Sequence, residues 1–461
     1  RSVVVNHASC VLSLGASTSA ITSLTITEGT LASGGWTLEV SGKTTIGDAG
    51  HSSEDQATLQ CDASAMFLGS GYTSDNAIIM LQGGTYVGGS GNHTSGAIKQ
   101  TAAHTKLTFT NATHTINAEY PSDDRLFSLT AGKSFNADGR ITLEGNFTSY
   151  IQWDTTAGDN GPHNLRLNDA NLHAKLRTPM TIEGDLVIDA GRLNTQYDGT
   201  DYKDLTVTGK TSIGPDSGAA DQATLTCNAS TMSLGSTKTD GLGLHVRQGG
   251  TFVGGSGTHT MGSLGVDNNA AVKYTNTSGV NTLNGHSNDS TRVIIGGGLS
   301  TCTAAGTITI TYAGGGYNFQ NGNAALINNL TLNSNVTANL SAATSITGDL
   351  TISQGTLNTT GSDFALTVTG AIHIDGTLTG NASAISGDSV HIDGTFTHNG
   401  ALTVSGIAAT NYAFQNLGTW TPSTSQVTTF TGDGDGTYHV KSNDWNSVVI
   451  NAAGENYYFR P

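Results

Sequence analysis

The sequence predicts an all-β protein, a parallel β-solenoid of three tandem modules, and three observations carry that prediction. The first is composition: of 461 residues 61 are Gly and only 6 are Pro, and charged residues make up 12%. Thr, Ser and Asn fill much of the remainder; with Gly, they are poor helix-interior residues. Thr and Val instead fit pleated strands, and Gly, Asn and Asp fit the turns between them. The second is period. In segments such as Leu205-Thr-Val-Thr-Gly209, Leu205 and Val207 fall on one face and Thr206 and Thr208 on the other. The third is internal repetition at long, constant spacing. Hydrophobic residues still reach 36% and recur with strand period, so the chain is not read as disordered.

The repeats align in detail. Gln56-Ala-Thr-Leu-Gln-Cys-Asp-Ala-Ser64 returns as Gln222-Ala-Thr-Leu-Thr-Cys-Asn-Ala-Ser230, and Gln82-Gly-Gly-Thr-Tyr-Val-Gly-Gly-Ser-Gly91 returns as Gln248-Gly-Gly-Thr-Phe-Val-Gly-Gly-Ser-Gly257. One common offset, about 165 residues, means a duplicated unit. A shorter third copy follows. The segments Leu24–Leu31, Leu186–Leu193 and Leu350–Leu357 correspond, as do Leu38–Gly42, Leu205–Gly209 and Leu366–Gly370. In the third copy Gly380 stands where the others carry Cys61 and Cys227, so the thiol reads as core filling and not as a metal ligand. Copies of one Asn-flanked strand recur at Asn164–Asn168, Asn329–Asn333, Ser447–Asn451 and Ser2–Asn6. These equivalences divide the chain into modules 1–163, 164–328 and a shorter 329–445, with 446–461 opening a further repeat or serving as a terminal docking strand.

Short alternating strands also describe tandem β-sandwich modules, which stand as the alternative fold. Two features favour the solenoid. The spacing of Leu24, Leu31, Leu38 and Ile46 is short and even, and a core Trp flanked by a Cys pair, as in immunoglobulin-like domains, is missing.

Charge and hydropathy bound the partners. A formal net charge of −16 without clustered Lys and Arg argues against nucleic acid, and no apolar run approaches the ~20 residues of a membrane-spanning helix. The four cysteines occupy apolar positions in the repeat, Cys10 matching Leu172 and Cys302 matching Phe135, so buried free thiols are expected. The start at Arg1, without Met or a signal-like segment, fits a processed or partial product.

Candidate sites are few. Glu residues are scattered and do not recur across modules, and Asp sits mainly in Asp-Gly turns such as Asp375-Gly376 and Asp393-Gly394, so no catalytic pair is expected. Gly432-Asp-Gly-Asp-Gly-Thr437 has the alternating carboxylates of a calcium loop, making Asp433 and Asp435 the calcium candidates, but lacks the trailing bidentate Glu. No other metal or cofactor is expected. His93 and His259 occupy equivalent Gly-Ser-Gly-x-His-Thr loops and, with His373, His391 and His398, read as exposed turn histidines. Tyr86, Trp153, Phe252 and Trp420 are the candidates for stacking on carbohydrate, with core packing as the competing role. Val3, Val4 and Val5 at one end and Val448, Val449 and Ile450 at the other are the candidate assembly strands.

The repeated Gly-x-Leu followed by Leu-Thr-Val-Thr-Gly, with closing segments such as Phe430-Thr-Gly and Trp445-Asn-Ser-Val-Val-Ile-Asn451, resembles the Gly/Thr-rich arrays of bacteriophage virion fibres and bacterial surface adhesins. The resemblance extends over essentially the whole chain and rests on degenerate motifs. It implies an exported or virion-borne protein, extracellular or at a cell surface. Such a protein would self-associate into a fibre or filament, with adhesion or host recognition as its role and cell-surface glycan as a partner. A non-enzymatic protein is expected; the alternative is a polysaccharide-degrading β-helix enzyme of tailspike type.

Overall fold

The structure, a computed structural model, describes the chain except residues 19, 70–75, 103, 111, 118–124, 130–133, 138, 146–147, 154–161, 216, 218–220, 237–240, 268, 270, 286–291, 296–300, 315–316, 321–326, 360, 407–411, 433–436, 442–444, 453–455 and 461. Every regular element among the described residues is a strand, most of them three to six residues long. Among the described residues pairing is parallel apart from one small antiparallel ribbon, Gln196–Asp198 with Asp201–Tyr202. The all-β expectation is met, and parallel ladders are not the pairing of an antiparallel sandwich. Backbone contacts divide the chain into two compact units, Arg1–Ser233 with Gly249–Thr251, and Leu234–Gln248 with Phe252–Pro461.

In the first unit most strands pair with one two or three strands further along the chain, so that three ladders grow side by side. Leu38–Val40 pairs with Met66–Leu68, which pairs with His93–Ser95, then Thr113–Asn117 and Arg140–Glu144. Thr44–Ile46 pairs with Ile78–Met80 and that strand with Ile98–Gln100. Ala57–Gln60 pairs with Gly84–Val87, which in turn meets Lys106–Phe109.

The second unit repeats the scheme most regularly towards its C-terminal part. Thr344–Ile346, Leu366–Val368, Ile385–Gly387, Ala401–Val404, Val427–Phe430 and Ser447–Ile450 form a six-stranded parallel sheet. A second ladder runs through Ala371–Ile374, Ser389–Ile392, Tyr412–Asn416, Thr437–Lys441 and Asn456–Arg460. A third joins Thr377–Asn381 to Thr395–His398 and then to Thr419–Pro422.

Register turns the period-2 pattern into stacked columns of like side chains. Ile372 and Ile374 lie on Val390 and Ile392, Phe414 follows Val390, and all five are buried. Leu378, Phe396 and Trp420 make a neighbouring column. Each such side chain contributes about 1.5–3 kcal/mol when covered, too little to order one strand alone but sufficient when strands on both sides supply the cover.

The corners between ladders are built the same way in all three repeats. Strands Ser23–Ala32, Leu186–Asn194 and Leu350–Asn358 each serve two ladders; Leu24–Ile26 pairs with Thr44–Ile46, and Gly29–Ala32 pairs with Ala57–Gln60. The bend falls at Gly29, Gly191 and Gly355, with φ of 89°, 88° and 73°. A Cβ on Gly29 would lie 2.5 Å from the His7 carbonyl oxygen and 2.7 Å from that of Cys10, so glycine is required for both conformation and space.

A buried hydroxyl beside each corner also recurs. Ser33 Oγ lies 2.9 Å from Ser64 Oγ, Thr195 donates to the Cys227 carbonyl at 2.9 Å, and Thr359 donates to the Gly380 carbonyl at 2.7 Å. The second and third copies therefore use the backbone carbonyl at the Cys/Gly position, and the thiol is not needed for it. A Cβ at Gly380 would sit 2.5 Å from His398 Cδ2, so the His398 ring takes the volume that Cys fills in the other copies.

Candidate functional site

The candidate assembly strands carry open edges. Ser2–Ser13 pairs on one side only among the described residues, with Val3 opposite Leu24 and Val5 opposite Ile26. Val5 points inward and is buried and Val3 is half-buried, whereas Val4 is 64% exposed and Val11, further along, 71%. In the second unit Ser447–Ile450 pairs only with Val427–Phe430 among the described residues. Val448 is half-buried there, and Val449 and Ile450 are exposed. The strand Asn456–Arg460, paired with Thr437–Lys441, adds exposed Tyr458 and Phe459. An edge strand presents a row of unpaired backbone N–H and C=O groups, which template a further strand. Apolar side chains beside such a row make addition more favourable.

Three of the aromatic candidates for carbohydrate stacking take the competing core role. Tyr86 is fully buried, edge-on to Phe109 and His114 with ring centroids 5.9 and 6.0 Å away. Phe252 is buried and stacked on Tyr274 at 5.2 Å. Trp420 is 3% exposed, between Phe414 at 4.8 Å and Trp445 at 4.7 Å. None of the three offers a ring face to a sugar, because each sits at an inward position of its strand, where aromatic area is worth most in the core. The side chain of Trp153, and Asp433 and Asp435 with the calcium reading, lie outside the described residues. The exposed aromatic rings include Trp36, Phe67 and Tyr202, which sequence reasoning passed over. Trp36 directly follows the positive-φ glycines Gly34 and Gly35, a turn signal that marks it as outward.

The histidines also correct an expectation. His93 and His259 are buried strand residues and not exposed turn residues. His259 Nε2 donates to the Gly254 carbonyl at 2.7 Å, and His93 Nε2 donates to the equivalent Gly88 carbonyl. Burial holds both below the usual histidine range, with the hydrogen bond opposing it. His114 is pushed well below, by burial first and then by its neighbour His93. His398 is buried too, stacked on Phe396 and bonded to the Ser383 carbonyl at 2.8 Å, and burial lowers it. His373 and His391 are half-buried and stand on strands.

The thiols behave as filling. Cys61 and Cys227 are buried and free, and burial pushes both thiols far above the ordinary range. Burial of this kind disfavours the thiolate that nucleophilic or metal chemistry requires. Cys10 is only half-buried, because its strand has an open side, and the Cys302 side chain lies outside the described residues. No protein-family model, curated protein or solved structure matches the chain.

Proposed function

We propose that the chain is a parallel β-solenoid of three tandem modules that serves as a structural element of an extracellular or virion fibre or surface adhesin. The observation that carries this reading is the parallel register within each unit, in which strands are covered by others two or three strands later. Such stacking puts most of the sequence into scaffold, as a fibre requires, and the resemblance to virion-fibre and adhesin repeats supports it. The open apolar edges at Val4 and Val11 and at Val449, Ile450 and Tyr458 support self-association by strand addition, which propagates into an elongated oligomer or filament. Adhesion or host recognition, with cell-surface glycan as a partner, follows from the resemblance. It no longer draws on Tyr86, Phe252 or Trp420.

Sedimentation velocity and electron microscopy across a concentration series test the assembly. The chain is expected to form linear assemblies that lengthen with concentration, and Val4→Lys with Ile450→Lys is expected to shift it to monomer by charging both edges. A wild-type chain that stays monomeric throughout the series would overturn the proposal.

A further inference from the structure

The tetrapeptide His373-Ile-Asp-Gly376 recurs without change as His391-Ile-Asp-Gly394. Strands Ala371–Ile374 and Ser389–Ile392 are adjacent and parallel, and the register sets His373 directly opposite His391 and Ile374 opposite Ile392. Ile374 and Ile392 are fully buried, so alternation turns both imidazoles outward, and their ring centroids lie 4.8 Å apart. Each Asp follows its His by two positions and returns to the same side at the corner. His373 Nε2 lies 2.9 Å from Asp375 Oδ1 and 3.7 Å from Asp393 Oδ2, and His391 Nε2 lies 3.3 Å from the same Asp393 oxygen. Ligand atoms of His373, His391 and Asp393 all fall within 4.8 Å of one another.

We infer that His373, His391 and Asp393 form a binding site for a divalent transition metal of the zinc class, with Asp375, against His373 Nε2, as the supporting group. Bond lengths of about 2.0–2.1 Å to zinc place tetrahedral ligand atoms about 3.3 Å apart, close to the His391–Asp393 and His373–Asp393 separations. Two neutral imidazoles and one carboxylate, with the Asp375 carboxylate beside them, suit a dication, and nitrogen with oxygen ligands suits zinc, cobalt, nickel and copper. A second observation points the same way. His391 Nε2 makes no hydrogen bond and is shut off from solvent, although its ring is half-exposed and a carboxylate stands 3.3 Å away. A set of simple His–Asp hydrogen bonds leaves that nitrogen without a partner, whereas a cation shared with Asp393 satisfies it. His245 and Asp267, at 2.8 Å, are a lone pair without a second imidazole and serve as the control.

Titration calorimetry of the chelator-treated full chain with zinc chloride tests the site, together with the visible absorption of cobalt(II) bound in its place. One saturable zinc is expected per chain, with a tetrahedral cobalt band that zinc displaces. His391→Gln and Asp393→Asn are expected to abolish saturable uptake, and Asp375→Asn to weaken it by about 10- to 100-fold. His245→Gln should leave uptake unchanged. The inference is overturned if the wild-type chain shows neither saturable uptake nor the cobalt band, or if uptake persists undiminished in His391→Gln and Asp393→Asn.

Discussion

Inward positions along these strands are set by register and not by hydrophobicity alone. In Leu205–Val207 the two coincide: Leu205 and Val207 are buried and Thr206 is not, as the alternation predicts. In His93–Ser95 they separate, since His93 and Ser95 take the inward positions and Thr94 the outward one. A polar triplet gives no signal of burial. What accommodates His93 is the Gly88 carbonyl that its ring meets, a pairing that appears only when the chain is folded. The same reason hides His398, which fits because position 380 is glycine. These buried imidazoles make the fold acid-sensitive. An unfolded chain protonates its histidines near pH 6.5, whereas His93, His114, His259 and His398 resist protonation to lower pH when folded. Below about pH 6.5 the unfolded state therefore binds more protons, and stability falls as pH falls. The thermal midpoint is expected to be level above about pH 7 and to drop on acidification to pH 5, less steeply in His259→Gln. A midpoint unchanged to pH 5 would remove these histidines from the account.

At the scale of elements, the repeated corners were partly legible. The alignment of Leu24–Leu31, Leu186–Leu193 and Leu350–Leu357 placed Gly29, Gly191 and Gly355 at one equivalent position, and all three have positive φ there. That each strand bends at its glycine to serve two ladders was not legible, because alternation continues on both sides of the bend. Gly191→Ala is expected to lower stability by at least about 1–2 kcal/mol from conformation alone. Contact with the carbonyl oxygens of Asp169 and Leu172, 2.4 and 2.7 Å from an added Cβ, increases the loss. Gly199→Ala, with nothing near its Cβ, is the neutral comparison. Urea midpoints of the two variants decide the matter; equal midpoints would refute the corner role. The His373–His391 pair belongs to this scale too. The repeated His-Ile-Asp-Gly is plain in the sequence, but eighteen residues separate the copies, and only the ladder register makes them neighbours.

For the whole molecule, internal repetition was the strongest guide, since a segment that returns with constant spacing must find an equivalent environment each time. Composition and period together indicated an all-β chain, and the parallel sense of pairing was the inference that spacing alone supported least directly. The aromatics show the limit of that guide. A repeat states that Tyr86 and Phe252 are equivalent but not which side of the strand they occupy, and both proved to be core. Everything proposed for assembly and for the metal site depends on parallel strands in the stated register. Disulfide trapping tests that register most directly. Thr367 and Ser386 are register partners, at the ~4.8 Å spacing of adjacent strands and within the ~4.4–6.8 Å Cα range of a disulfide. Thr403, the partner of Ser386 on its other side, is two strands from Thr367, about 9.6 Å away. Under mild oxidation Thr367→Cys/Ser386→Cys should bridge nearly completely within one chain and Thr367→Cys/Thr403→Cys should not. A bridge in the second variant, or none in the first, would contradict the parallel stack.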